Sequence, residues 1–248
     1  MKVKIFNCYI DALTMNETVE KIKSTINNNE HVHHVVVNAA KLIQMRRDRQ
    51  LYRSVVSADI INADGASVVW LSRMLRTPLP ERITGIDLME KLINEAAQNF
   101  WKCYFLGAEK KVVENVVAKY AELYGDKIIA GFRDGYFSKD EEESIINQVH
   151  ASGTNILFVA ISSPQKENFL HKYKKELETV NFIMGVGGSF DVISGKVKRA
   201  PAWMQRIGLE WFYRLIQEPK RMWKRYLITN TLFLYFSFLE FLRSLFGK

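Results

Sequence analysis

The chain of 248 residues alternates short runs rich in apolar and β-branched residues with longer amphipathic stretches, and that rhythm limits its fold more than any other feature. The runs fall at 34–37, 59–62, 103–106, 127–130, 155–161 and 182–186. They are too short for helices and show little polar alternation, so they predict strands covered on both faces, as in a mostly parallel sheet with helical crossovers. The predicted class is α/β, a Rossmann-like sheet. One further strand is predicted over 3–10, followed by a helix capped by Thr14 or Asn16 and running to about residue 27. Other helices are predicted over 39–49 and 66–75 and from Asp87.

In such sheets ligands bind beyond the carboxyl ends of the strands, near a reversal of strand order. The strand-to-helix turns therefore predict one cleft lined by Asn38, Asp64, Gly107, Gln165, Gly187 and Gly188. Asp64, at a strand end and followed by Gly65, serves either as a general base or as an N-cap for the next helix. Asn38 holds a sugar or phosphate, or caps its own helix. The run Gly185-Val186-Gly187-Gly188-Ser189 admits close approach of backbone N–H groups to a diphosphate, or is simply a tight turn. It lacks the full GxGxxG spacing of a dinucleotide fold. Arg82, in a proline-bounded loop, clamps a phosphate or is solvated. His31, His33 and His34 suggest metal ligands, but a solvated tract before a strand is the reading adopted. No HExxH, GxSxG, Walker or DxD motif occurs, so no metal or other cofactor is expected.

Charge divides the chain. Residues 1–195 carry 24 basic and 24 acidic side chains, whereas 196–248 carry 11 basic and 3 acidic, so the whole excess of +8 lies in the tail. The tail also holds 12 of the 30 aromatic residues, a pairing suited to an anionic membrane interface. Two regions follow: a catalytic α/β domain over 1–195 and a basic, aromatic helical appendage over 196–248 that docks on membrane. Residues 203–217 show one helical period, and Pro219 starts a second helix carrying Arg221, Lys224 and Arg225. The apolar run 232–242 is too short to span a bilayer, so the expectation is a helix lying in the interface, packed on the body or on a second subunit, or both. That apolar end fits lipid better than nucleic acid. No signal-peptide pattern opens the sequence, and Cys8 and Cys103 have no paired spacing, so a cytosolic setting is expected.

Several segments occur in order: Asn62-Ala63-Asp64-Gly65, then Pro78-Leu79-Pro80-Glu81-Arg82-Ile83-Thr84-Gly85-Ile86-Asp87-Leu88-Met89, then Asp134-Gly135-Tyr136-Phe137 and Ser163-Pro164-Gln165-Lys166-Glu167. Gly185-Val186-Gly187-Gly188-Ser189-Phe190-Asp191, Val197-Lys198-Arg199-Ala200-Pro201, Gly208-Leu209-Glu210-Trp211 and Tyr213-Arg214-Leu215 follow. This set resembles the WecG/TagA/CpsF family of bacterial glycosyltransferases, over residues 5–226. The resemblance implies inverting, metal-independent transfer of a sugar, N-acetylmannosamine in some branches, from a UDP-sugar to a polyprenyl-diphosphate-linked acceptor. It places the enzyme on the inner face of the bacterial membrane, as a homo-oligomer. It implies Asp64 as base and Asn38 as a sugar-positioning group. Arg82, Thr84, Gly107, Tyr136, Gln165, Gly187, Gly188 and Asp191 are the implied substrate-binding residues, with Arg214, Arg221 and Arg225 closing on diphosphate from the appendage. Val36 and Ala40 depart from the family pattern, where threonine and an acidic residue are common, and leave another UDP-hexose open as donor. A non-catalytic nucleotide-binding protein is the alternative of a different class.

Overall fold

The computed structural model describes residues 1–246, apart from the side chains of Arg221 and Phe246. It opens with a hairpin, β1 (Lys2–Ile5) and β2 (Cys8–Asp11), and α1 (Met15–Asn27). Next come β3 (Val32–Val37), α2 (Ala39–Met45), α3 (Arg49–Val56), β4 (Ile60–Ala63), α4 (Ala66–Met74) and α5 (Gly85–Asn99). The second half holds β5 (Cys103–Gly107), α6 (Lys110–Tyr124), β6 (Ile129–Arg133), α7 (Glu142–Ala151), β7 (Ile156–Ala160), α8 (Gln165–Lys172), β8 (Phe182–Gly185) and α9 (Ser189–Ile193). The tail forms α10 (Ala202–Arg206), α11 (Glu210–Gln217) and α12 (Pro219–Phe246).

Strands β3 to β8 form one parallel sheet in the order β4-β3-β8-β7-β5-β6. Side chains alternate between its faces, as the pleat requires. Cys103 and Phe105 pack with α1, α5, α6 and α9, while Tyr104 and Leu106 pack with α7 and α8. A third apolar cluster joins the hairpin, α2, α3, α4 and one face of β3 and β4. The sheet is therefore the middle of three layers, and the α/β expectation holds. After β4 the chain crosses to the far side of the sheet, then works back through β7 to β8. The order thus reverses between β3 and β8 and again between β5 and β7, which opens two crevices along one carboxyl edge.

Four local expectations need correction. The predicted strand over 3–10 is two antiparallel strands, because the chain turns at Phe6, whose φ is 53°. Asp11 at its end accepts from the Ile61 N–H at 2.9 Å, so the hairpin covers the open edge of β4. The helix predicted over 39–49 is two helices, because the Asp48 side chain caps α3 by accepting from Leu51 N–H at 2.9 Å. The helical period over 203–217 is broken at Gly208, which sits at φ 77°. The histidines are not solvated: His33 and His34 lie buried in β3, and His34 Nε2 meets Asn62 Oδ1 at 2.8 Å across to β4. Burial lowers the pKa of His34 to about 4, so it is neutral at physiological pH. Among the described residues no cluster of His, Cys, Asp or Glu is arranged to hold a metal ion.

The tail folds onto the body. Met222, Phe233 and Ser237 of α12 are buried, and Phe233 and Phe236 meet Phe6 edge to face at 5.7 and 6.4 Å. The Arg46 guanidinium at the end of α2 lies 3.9 Å from the Phe236 ring centroid. The opposite face of α12 exposes Trp223, Leu227, Leu234, Tyr235 and Phe238. Among the described residues no helix is long and apolar enough to cross a membrane.

Candidate active site

Asp64 follows β4 at the sheet's carboxyl edge. Its side chain does not cap α4: Gly65 holds the N-cap position, with no side-chain cap bond. That sets the capping alternative aside. A Cβ on Gly65 would approach Asn38 Cβ to 3.3 Å, so the β3 and β4 turns touch. Burial raises the Asp64 carboxyl to a pKa of about 7, against the pull of Arg82, while the charge of Glu210 pushes the same way as burial. A carboxyl poised there takes a proton near neutral pH, which is what a general base needs.

Asn38 does cap its helix, its Oδ1 accepting from Lys41 N–H at 3.0 Å. Thr84 is buried and caps α5, accepting from Asp87 N–H and donating to the Asp87 carboxylate. Its hydroxyl is spent on helix and carboxylate, so it shapes the Arg82 loop rather than presenting a free group. Arg82 reaches Glu210 of α11 at 3.1 Å. Arg199 meets Asp87 at 2.6 Å and Glu210 at 3.5 Å. This chain of ion pairs ties the appendage to the body beside Asp64. The α10–α11 turn is close as well, since a Cβ on Gly208 would lie 2.5 Å from Ala66 Cβ.

The β8 turn receives Arg214. A Cβ at Gly188 would fall 2.4 Å from Arg214 Nη2, so the guanidinium lies against the glycine. Arg214 Nε is buried within the longer reach of an ion pair, with Glu218 Oε2 at 3.9 Å. Gly187 adopts φ 54°, the left-handed region that suits glycine. The helix behind this turn, α9, has only five residues. Arg225 is exposed on α12, and its charge acts on Lys166 below. The side chain of Arg221, also expected here, lies outside the described residues.

The second crevice gathers the rest. Gly107, at φ 123°, is required by packing, because a Cβ would meet the Ala160 backbone carbon at 2.5 Å. Gln165 is exposed and its amide oxygen accepts from Ser162 Oγ at 3.1 Å. Tyr136 is exposed at the rim. Lys196 pairs with Glu109 at 2.7 Å and lies 4.0 Å from Asp191, so the start of the appendage also closes this side.

A buried ionic cluster escaped the sequence reading. Lys41 and Lys166 both approach Glu167 Oε1, at 2.8 and 3.0 Å, and Lys41 also donates to the Val36 carbonyl at 2.7 Å. Burial opposes the Glu167 charge, but the two lysines outweigh it and hold the carboxyl well below its usual range. Burial, then the charge of Lys41, lowers Lys166 to about 8 despite Glu167. The one available signal was two adjacent charges directly behind a strand covered on both faces.

Residues 3–246 match the model of the "Glycosyl transferase WecG/TagA/CpsF family". The chain belongs to this family. This glycosyltransferase is 36% identical over 219 residues to the N-acetylglucosaminyldiphosphoundecaprenol N-acetyl-beta-D-mannosaminyltransferase of Bacillus subtilis strain 168, covering 88% of this chain and 81% of the relative. It is 41% identical over 177 residues to the protein of the same name from Bacillus spizizenii, covering 71% of this chain and 67% of the relative. Membership makes the chain an enzyme and removes the non-catalytic alternative. It also gives the Asp64 cleft a reaction class.

Proposed function

We propose that this glycosyltransferase moves N-acetylmannosamine from UDP-N-acetylmannosamine to undecaprenyl-diphosphate-linked N-acetylglucosamine, with inversion and without a metal. The names of the two Bacillus relatives support the sugar and the lipid acceptor. The observation that carries the mechanism is the half-buried Asp64 carboxyl at the sheet's carboxyl edge, not used as a helix cap and set between Arg82 and Glu210, with its pKa raised by desolvation. In the proposed step Asp64 takes the acceptor hydroxyl proton as that oxygen attacks the anomeric carbon from the face opposite UDP. The bond to the UDP oxygen breaks, and its electron pair leaves on the diphosphate. Asn38 orients the sugar. Arg214, with Arg221 and Arg225, meets the growing negative charge.

The acceptor is anchored in a bilayer, so the enzyme works at the cytoplasmic face as a peripheral protein. The exposed apolar face of α12 and the basic surplus of residues 196–248 support docking on anionic lipid. A second copy covering part of this face fits the same exposure. The test is a panel of UDP-sugars with a polyprenyl-diphosphate-N-acetylglucosamine acceptor, reading UDP release with and without EDTA. Release with UDP-N-acetylmannosamine that depends on acceptor and persists in EDTA is the expected result. Release only from another UDP-hexose would move the assignment to that donor, the outcome Val36 and Ala40 keep open. Loss of release in EDTA would end the metal-free mechanism.

A further inference from the structure

The Lys41–Glu167–Lys166 cluster holds two cations against one carboxylate. Side chains of all three are at least nine-tenths closed off from solvent. Charge balance in a buried place needs only one lysine per glutamate. Lys41 has a second structural duty, its bond to the Val36 carbonyl at 2.7 Å. Lys166 has no such bond among the described residues, and is the surplus charge.

Its position is informative. The Lys166 chain runs across Gly185, where an added Cβ would lie 2.3 Å from Lys166 Cε and 2.4 Å from Cδ. Three residues on, Arg214 fills the matching space at Gly188, with Nη2 at 2.4 Å. One four-residue turn, Gly185 to Gly188, is therefore crossed by the Lys166 stem at one end and met by the Arg214 guanidinium at the other. The lysine comes from the body and the arginine from the appendage. Arg225 of α12 adds a third positive charge acting on Lys166. Nearby, the Ser163 hydroxyl is buried with no partner. Lys166 is thus a buried surplus cation, with the partly exposed Arg214, which has Glu218 at 3.9 Å, and the exposed Arg225 on the same side, and this concentration of positive charge suits an anion.

We propose that Lys166 is a further substrate-binding residue, the body's own cation for the donor's phosphates, which bridge it to Arg214 across the Gly185–Gly188 turn. This rests on the UDP-sugar reading above and adds a ligand that does not depend on closure of the appendage. At pH 7 Lys166 remains mostly protonated, and it loses its charge as pH rises through about 8. The charged groups facing it are Glu167 beside it, Lys41 on α2 and Arg225 on α12.

The experiment compares the full chain with Lys166→Gln and Lys166→Met, which leave Lys41 and Glu167 as a balanced pair. UDP and uridine affinities are measured by titration and by ligand-observed NMR, with thermal melting recorded without ligand. The expected result is a loss of at least about tenfold in UDP affinity with uridine affinity unchanged, the scale of one lost charge-assisted bond. The loss shrinks from pH 7 to pH 9, because the unmodified protein loses its own cation over that range. Unchanged UDP affinity, or equal losses for UDP and uridine, would overturn the proposal and leave Lys166 a structural charge. If the unmodified chain binds no UDP at all, the donor reading fails instead.

Discussion

Asp64 pays for its reactivity in stability. Its carboxyl is held near a pKa of 7 by burial, so the folded protein binds a proton that the unfolded chain has released above about pH 4. Between those values its contribution to stability falls as pH rises, and the charge is fully unfavourable above pH 7. Asp64→Asn is expected to melt higher than the unmodified protein at pH 8, by a few degrees, and to show little gain at pH 4, as a thermal melt at each pH will read. The same substitution should abolish UDP release while leaving UDP binding intact; retained turnover would remove Asp64 as base. In the unmodified enzyme kcat/KM should rise with pH through about 7, since the base acts only when ionised, and fall again above about 8 as Lys166 loses its charge. Glu167 has the opposite balance. Glu167→Gln leaves two buried lysines without a carboxylate and should cost roughly 3–5 kcal/mol in urea unfolding. Asp64 was legible because a carboxylate at a strand end is a local pattern. Lys41, Lys166, Glu167 and Glu210 were not, because their meaning lies in partners far away in sequence. Gln165 attracted notice in place of Lys166, its neighbour, since residue type alone does not say which of the two points inward.

At the scale of elements, β3, β4, β5, β7 and β8 were readable because both faces are covered, whereas the edge strand β6 is half-exposed and starts at Ile129, after a tight turn over Asp126–Ile128, rather than at the expected residue 127. The start of α1 was readable only as a cap at Thr14 or Asn16; the structure gives Thr14, with Glu17 completing a capping box. Thr14→Ala should lower stability by about 1 kcal/mol, measured by chemical unfolding. The misread boundaries share a cause. Phe6 turns the hairpin at positive φ without the glycine that usually marks such turns, and Arg46-Arg47-Asp48 interrupts a stretch whose residues all tolerate a helix. Helix α12 has a double character that apolar content alone cannot sort into faces. Phe233 faces Phe6, whereas Leu234 and Phe238 face outward. Phe233→Ala is expected to cost roughly 3 kcal/mol and loosen the docking of α12. Leu234→Glu with Phe238→Glu should leave melting unchanged and reduce sedimentation with anionic vesicles. Unaltered vesicle binding would remove this face from the lipid contact.

For the whole molecule, the charge count located the appendage but did not say how it meets the body. Among the described residues its attachments include Arg214 on the β8 turn, Glu210 with Arg82, Arg199 with Asp87, Lys196 with Glu109, and α12 on the hairpin. A chain ended at Gly195 should keep its three-layer core, with melting still cooperative, and lose nearly all UDP release. Full activity in that truncation would show the appendage to be dispensable. The contact between Phe6 and the Phe233–Phe236 turn of α12 also joins the first strands made during synthesis to nearly the last helix made. Closing so long a loop is slow relative to local structure. On the ribosome the hairpin is therefore expected to wait with Phe6 uncovered while the sheet assembles, and Arg214 of α11 with the arginines of α12 arrives only when translation is nearly finished. A nascent or prematurely ended chain would carry Asp64 without Arg214 or α12, and on the reading proposed above it should release no UDP until the appendage is made.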